Sequence, residues 1–266
     1  MEAALLRRPV RAVPIAEPQP PATAFRVHWA RNHEDVRAAQ RLRYRVFVGE
    51  LGARLTIPPG APAEHDVDRY DDHCEHLIVR TLPRHGGDGE VIGTYHVLLP
   101  AAARRAGGYY SESEFDLAPL APLRAGMVEL GRSCVHPDWR AGGVILALWG
   151  ALGELMRRYR MTAMVGCASV GMHDGGHYAA RVCRSLSERH LADAAWRVWP
   201  HRPLPLAELR DDLRVEPPPL VKGYIRCGAR LLGPPAWDPE FNTADLPLLM
   251  RIEDLPDRYR RHFVEG

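Results

Sequence analysis

Lysine is almost missing from this chain, and its positive charge is carried by arginine instead. Lys222 is the single lysine among 35 basic residues, and Ala, Pro and Gly are abundant, which together indicate a GC-rich coding bias. Arginine-rich stretches in such a sequence are weak indicators of nucleic-acid binding. The formal net charge of only +2 also argues against a nucleic-acid partner.

The cysteines are few, odd in number and widely spaced, so they do not form the patterns of a disulfide-rich or zinc-binding domain. No CxxC motif is present, and we therefore expect a reducing compartment. The five residues are Cys74, Cys134, Cys167, Cys183 and Cys227.

Long apolar segments are also missing. No run of about 20 apolar residues exists, so we expect no membrane span. Prolines follow Arg7 and Arg8 closely and prevent an apolar signal-peptide core, which favours a cytoplasmic location. We predict that residues 1–23, rich in proline, form a disordered tail. Residues 24–266 are then a single domain, for which a hydrophobic fraction of 46% is ordinary.

Strands alternate with helices in the remaining sequence, which predicts a mixed α/β fold. A stretch from Pro100 to Gly126 has no regular pattern. We predict strands over 25–29, 75–80, 91–99, 127–135, 161–169 and 246–252. We predict helices over 32–51, 143–159, 177–190 and 220–231, and one beginning near residue 255.

A glycine pair opens the predicted helix that follows the strand ending at Val135. The segment Arg140-Ala-Gly-Gly143 would place unpaired backbone N–H groups and the positive end of a helix dipole at one point, which suits phosphate. A simple tight turn is the alternative. The segment resembles the pyrophosphate loop of GNAT acyltransferases, in which Arg or Gln precedes xxGxG or xxGxA.

Arg140 and Gly143 match that loop, but Ile145 stands where Gly or Ala is expected. A β-branched residue there would crowd the two phosphates of acyl-CoA more than the one phosphodiester of an acyl carrier protein. The resemblance therefore favours a carrier protein as donor. It assigns the phosphopantetheine to Val135, Arg140, Gly142 and Gly143.

Carboxylates and imidazoles are concentrated between His65 and His76, just before a predicted strand. Three interpretations remain open: a solvated acidic loop, a metal site, or a carboxylate set that holds a cationic, amine-bearing substrate. The glycine of a calcium loop and a helical HxxxH pair are both missing, so we expect no metal.

Glu129 and Arg132 are charged residues inside a strand that is otherwise apolar, a costly arrangement unless they are paired or used in catalysis. Their spacing places them on opposite faces of a regular strand, and a bulge at Gly131 would bring them together. They are either a structural ion pair or a catalytic pair. In the second case Glu129 is the general base for an attacking amine, and Arg132 fixes carboxylates or the acid group of the substrate.

Three motifs resemble those of acyl-homoserine lactone synthases, which have the GNAT fold and use acyl carrier protein. They are Arg43-xxx-Phe47, Asp66-x-Asp68-xx-Asp71 and Glu129-xx-Arg132. Further along, the chain resembles the ornithine N-acyltransferase family, long called haemolysin-like. The segments 218–229 and 237–245 carry this likeness, together with 129–135 and 166–169.

The resemblance implies a GNAT-like α/β fold, with a central mixed, twisted sheet flanked by helices, a splayed strand pair that admits pantetheine, and a C-terminal extension. It implies transfer of a 3-hydroxyacyl chain from acyl carrier protein to the α-amino group of ornithine, which yields lyso-ornithine lipid. No permanently bound cofactor is expected. The substrate-binding residues would be Arg43, Phe47, Asp66, Asp68, Asp71, Asn242 and Asp245.

Alternatives remain open at this stage. One is an N-acyl amino acid or acyl-homoserine lactone synthase, and a more distant one is a membrane-acting haemolysin. The segment Leu220–Leu232 alternates apolar and basic residues. It could line an acyl tunnel, touch the inner membrane, dock the carrier protein or be an ordinary core helix.

Overall fold

A computed structural model describes residues 25–82, 87–141, 143–257 and 259–260. The predicted tail (1–23) and Gly142 lie outside these residues. The described residues contain one eight-stranded sheet. Its strands are β1 (Phe25–Trp29), β2 (Glu75–Thr81), β3 (Val91–Leu98), β5 (Met127–Val135), β6 (Ala163–Gly171), β8 (Arg230–Leu231), β9 (Ala236–Asp238) and β10 (Thr243–Arg251). Their order in the sheet is β1-β2-β3-β5-β6-β10-β8, with β9 also paired to β10. The strands β4 (Phe115–Asp116) and β7 (Trp199–Pro200) form a separate pair.

The two central strands are parallel and soon separate. All other neighbours in the large sheet are antiparallel, whereas β5 and β6 run in the same direction. Their pairing joins only Met127–Glu129 to Ala163–Val165, although each strand has nine residues. The predicted splayed strand pair is therefore present, and it opens the middle of the sheet.

Helices cover both faces of the sheet. Alternate side chains of β2 face opposite sides: Ile78 packs with α1 (His33–Tyr44), while Leu77 packs with α3 (Val144–Tyr159). Asn32 caps α1 by accepting a hydrogen bond from the Asp35 N–H. A π-helical turn, Arg45–Glu50, continues α1. The helix α4 (His177–His190) packs on β6 and β10.

Two predicted regions differ from the structure. The stretch predicted to be irregular contains a short helix, α2 (Pro100–Ala106), which ends at Gly107 in a left-handed conformation. The helix predicted over 220–231 is shorter: α5 (Pro219–Arg226) ends before Gly228, whose φ of 93° interrupts it, and Leu231 belongs to β8. Among the described residues, no helix is both long enough and apolar enough to cross a membrane.

Candidate active site

A cleft of about 1320 Å³, including its solvent-filled mouth, opens where β5 and β6 separate. Its walls contain polar residues from the centre of the sheet. Strand β5 contributes Glu129–Ser133, β6 contributes Cys167–Ser169, and β10 contributes Thr243 and Asp245. The cleft therefore gathers segments that are far apart in the sequence.

Glu129 is buried at the end of the short β5–β6 pairing and is held by backbone groups. The N–H of Tyr110 donates to its Oε2 at 2.6 Å, and the N–H of Ser111 donates to its Oε1 at 2.8 Å. Burial raises the pKa of Glu129 to about 6, although these donors act in the opposite direction. A carboxylate with this pKa is ionised at neutral pH and can accept a proton from an amine.

A β-bulge follows Glu129, one residue later than the predicted position at Gly131. Thr94 pairs with Cys134 and His96 with Gly131, so that Arg132 and Ser133 both lie opposite one residue of β3. Arg132 itself adopts the left-handed conformation, with φ 46°. Such a conformation is unfavourable for arginine and is found mainly where function or packing requires it.

Arg132 does not pair with Glu129, so the two residues do not form the structural ion pair that was one of the alternatives. It pairs instead with the acid cluster, the carboxylates that lie between His65 and His76. Its Nε lies 3.4 Å from Asp66 and 3.2 Å from Asp68. The guanidinium also lies over the rings of Tyr110 and Phe241, at 5.2 and 4.7 Å from the centroids. These neighbours fix a cation on the wall of the cleft.

The acid cluster is buried, which contradicts the interpretation as a solvated loop. Arg43 has no exposed side-chain area and donates to Asp66 at 2.9 Å and to both oxygens of Asp71 at 2.9 and 3.0 Å. Burial would raise the pKa of Asp71, but the hydrogen bond from His96 and the charge of Arg43 keep it well below the ordinary value. Arg43 thus pairs with both Asp66 and Asp71 behind the cleft.

Asp68 and Phe47 reach the cleft, as predicted for substrate-binding residues, but Asn242 is not among the described residues that line it. Asn242 occupies the turn between β9 and β10 with φ 51°, and its carbonyl accepts a hydrogen bond from the Met172 N–H. Phe47 packs edge-on against Phe241. The pKa of Asp68 is lowered: burial acts to raise it, while His96 and Arg132 outweigh that effect.

A second group of carboxylates lies in the same cleft. Asp238 and Asp245 line it, and Glu114 lies beside Asp245 and Cys167, with ligand atoms of these three within 4.8 Å of one another. Burial and the neighbouring carboxylates raise the pKa of both Glu114 and Asp245. Sequence patterns indicated Asp245 alone, because Glu114 follows a 3₁₀ turn, Tyr110–Ser113, in the stretch without periodicity.

The segment predicted to bind phosphate lies just before α3, and its arginine is already paired with Glu50. Arg140 forms a bidentate pair with Glu50 at 2.6 and 2.7 Å and donates to the Val135 carbonyl at 3.2 Å. Gly143 begins α3 with φ 79°, a conformation that favours glycine. An incoming phosphate would compete with Glu50 for Arg140 at the helix start.

One further cluster has the composition of a metal site, since ligand atoms of Asp71, His76 and His96 lie close together. The His96 Nε2 already lies 2.8 Å from Asp71, and the Arg43 guanidinium contacts both residues. A fixed positive charge at this distance opposes the binding of a metal cation.

Two apolar pockets, whose volumes of about 400 and 460 Å³ include open solvent, lie next to the cleft under the separated strands. Both share Leu130 and Tyr224 with the cleft, and both are also lined by Met164 and Met250. Tyr224 lies on α5, where Gly223 allows close packing: a Cβ added there would lie 2.5 Å from the Trp149 ring. These pockets have the apolar lining that a hydrocarbon chain requires.

Comparison with known proteins agrees with this arrangement. The family model described as an acetyltransferase (GNAT) domain matches residues 42–150. The acyl-homoserine lactone synthase LasI has a similar fold, with a TM-score of 0.52 and 13% identity, over 92% of this chain and 96% of its own. FeeM, an N-acyl amino acid synthase from uncultured soil microbes, gives a TM-score of 0.51 and 9% identity over 91% and 96%. The predicted GNAT-like fold is therefore confirmed.

Relatives of higher identity cover nearly the whole chain. The L-ornithine N(alpha)-acyltransferase of Agrobacterium fabrum is 34% identical in an alignment that covers 88% of this chain and 83% of the relative. The enzyme of the same name from Rhodobacter capsulatus is 33% identical, and the alignment covers 91% of this chain and 97% of the relative. The cleft and the separated strands agree with these relatives. The chain therefore belongs to the L-ornithine N(alpha)-acyltransferase family of GNAT acyltransferases.

Proposed function

We propose that this acyltransferase moves a 3-hydroxyacyl chain from acyl carrier protein to the α-amino group of L-ornithine, with lyso-ornithine lipid as the product. The observation that carries the proposal is Glu129, a buried carboxylate with a pKa of about 6 at the point where β5 and β6 separate. It stands beside both a polar cleft and apolar pockets. The reaction needs a proton acceptor at such a junction.

In the proposed reaction the α-ammonium loses a proton to Glu129, directly or through a water molecule. The amine nitrogen then attacks the thioester carbonyl carbon and forms a tetrahedral intermediate. The C–S bond breaks, and the thiol of phosphopantetheine leaves with a proton. Backbone N–H groups near the bulge, from Ser133 to Val135, would stabilise the oxyanion.

Two features support an acyl carrier protein as the acyl donor. The apolar pockets that share Leu130 and Tyr224 with the cleft would hold the acyl chain. Arg140 and Gly143, at the start of α3, would bind the phosphodiester of the carrier's prosthetic group, and Ile145 disfavours the bulkier pyrophosphate of acyl-CoA. This donor would place the reaction in the cytoplasm, and we propose peripheral contact with the inner membrane, where the product would partition.

The acceptor assignment rests on the relatives that are named for ornithine. Ornithine offers an α-carboxylate, and Arg132 is a cation on the cleft wall with 15% of its side chain exposed. Asp66, Asp68 and Asp71 support this role by positioning Arg132 and Arg43.

The test is acyl transfer by purified protein, with 3-hydroxyacyl carrier protein and acyl-CoA compared as donors. Amino acid acceptors are supplied in parallel, and products are identified by mass spectrometry. We expect N-acylornithine from the carrier-bound donor. Transfer to other amino acids, or formation of an acyl-homoserine lactone from S-adenosylmethionine, would support the synthase alternative. Leakage from liposomes without any transfer would support a haemolysin.

A further inference from the structure

Among the described residues, Glu114, Asp238 and Asp245 form no ion pair with a basic side chain, in contrast to Asp66, Asp68 and Asp71. Asp66, Asp68 and Asp71 are paired with arginines. In the part of the chain that the structure describes, the hydrogen-bond partners of the second group are uncharged. Asp238 accepts from the N–H groups of Glu240 and Phe241, and Asp245 accepts from the Thr243 hydroxyl at 2.8 Å.

Glu114 is the extreme case. Both of its carboxylate oxygens are shielded from solvent, and the hydrogen-bonding groups beside them include the Tyr110 hydroxyl and the Cys167 thiol. Its polar neighbours, Tyr110 and Cys167, are neutral groups, because burial also raises the pKa of the phenol and of the thiol. An unpaired carboxylate in such a position is costly unless a cation binds there or a proton neutralises it.

The acidic group is close in the chain to the residues that hold the proposed base. The 3₁₀ turn Tyr110–Ser113 donates two N–H groups to Glu129, and Glu114 is the next residue of the chain. One turn thus contacts the base and leads directly to Glu114, and Glu129, Asp238 and Asp245 all line the cleft. Ornithine carries its α-amino group and its side-chain ammonium at the two ends of a short aliphatic chain.

We propose that Glu114, Asp238 and Asp245 form the subsite for the side-chain ammonium of the acceptor, while Glu129 receives the proton of its α-amino group. This proposal rests on the proposed function, and it explains why the acidic group is left without a protein cation. The proposal assigns recognition of the ammonium to Glu114, Asp238 and Asp245. Asp66, Asp68 and Asp71 do not have this role, because they pair with arginines.

A metal ion is the competing occupant, since Glu114, Cys167 and Asp245 could supply three ligand atoms. Metal binding requires the thiolate, whereas the surroundings of Cys167 favour the neutral thiol. An ammonium needs only the carboxylates, so it is the occupant that these residues favour.

The experiment compares ornithine with norvaline, which has the same backbone and chain length but no side-chain ammonium. The measured quantity is the ratio of kcat/KM for ornithine to kcat/KM for norvaline. We expect Glu114→Gln and Asp245→Asn each to lower this ratio about 30-fold, as for loss of one partner of a buried charge pair. Glu208→Gln, at an exposed position, is the matched control and should leave the ratio unchanged.

Several results would overturn the subsite. A wild-type ratio near one would contradict the subsite without any variant, so the test does not depend on whether the variants fold. A ratio unchanged in folded Glu114→Gln would do the same, as would one zinc ion per chain, found by mass spectrometry and lost in that variant. Failure of the proposed function would look different: the wild-type protein would acylate neither amino acid from any donor.

Discussion

The guanidinium of Arg43 donates hydrogen bonds to both carboxylate oxygens of Asp71, at 2.9 and 3.0 Å, in a region closed to solvent. Removing the arginine would leave Asp66 with Arg132 alone and Asp71 with histidine neighbours alone as partners for their buried charges. We expect Arg43→Met to lower the free energy of unfolding by about 3–5 kcal/mol, measured by urea denaturation at pH 7.5.

Arg45→Met is the control for Arg43→Met. Arg45 follows in the next turn and pairs with Glu90, but both side chains are more than half exposed. Its loss should change stability by less than about 1 kcal/mol. Equal losses in the two variants would mean that the Arg43 cluster is no more important for folding than a surface pair.

Glu129→Gln should lower kcat about 10²- to 10⁴-fold, because an amide cannot accept the proton of the amine. In the wild-type enzyme kcat/KM should fall as the pH drops below about 6, the pKa of the buried carboxylate, and this limb should be missing from the variant. Stopped assays across pH 5–9 measure both effects.

The exposed Glu154→Gln on α3 controls for a simple loss of negative charge. Melting temperatures are also needed for Glu129→Gln, because the amide nitrogen would face one of the N–H donors of Tyr110 and Ser111. An unaltered pH limb in a folded, active variant would remove Glu129 from the role of base.

The regular parts of this fold could be predicted from local sequence patterns. The strand Met127–Val135 and the helix His177–His190 have the predicted limits, because their apolar residues follow the periods of strand and helix. A bulge at Gly131 is considered from the sequence, whereas the structure has it one residue later, with Arg132 in the left-handed conformation.

The second acidic group could not be found in this way. Glu114 has no periodic neighbours, and it meets Asp245 only because a 3₁₀ turn carries it to the separated strands. The sequence predicts that Arg132 fixes carboxylates, but sequence spacing does not show that Arg43 is the buried partner of both Asp66 and Asp71. Side chains that meet through tertiary contacts require the structure.

Arg140 and Glu50 make a bidentate pair, and an incoming phosphate must displace Glu50 to reach the guanidinium. We expect Arg140→Ala to raise KM for acyl carrier protein about tenfold, as one charge-assisted phosphate contact is lost. Glu50→Gln should lower KM, because it frees the guanidinium. Initial rates at varied donor concentration and at two ionic strengths measure both. If the two variants change KM in the same direction, Arg140 does not bind the donor.

The free protein should lose stability as the pH rises, because of Glu114 and Asp245. Burial and mutual repulsion raise the pKa of both groups in the folded state, so the folded protein binds their protons more tightly than the unfolded chain does. Their contribution to stability is complete below the ordinary carboxyl pKa of about 4. It is lost as the pH rises through the raised values.

In Glu114→Gln, one of these two carboxyl groups is replaced by an amide that does not titrate. The variant should therefore show a flatter dependence of unfolding free energy on pH, and it should be more stable than the wild type at pH 8.5 but not at pH 5. Urea denaturation at both values measures this, with Glu208→Gln as the control. Saturating ornithine should remove the difference in slope in the wild type, because a bound ammonium compensates the same charge. Parallel curves for Glu114→Gln and the wild type would show that Glu114 titrates as an ordinary surface acid.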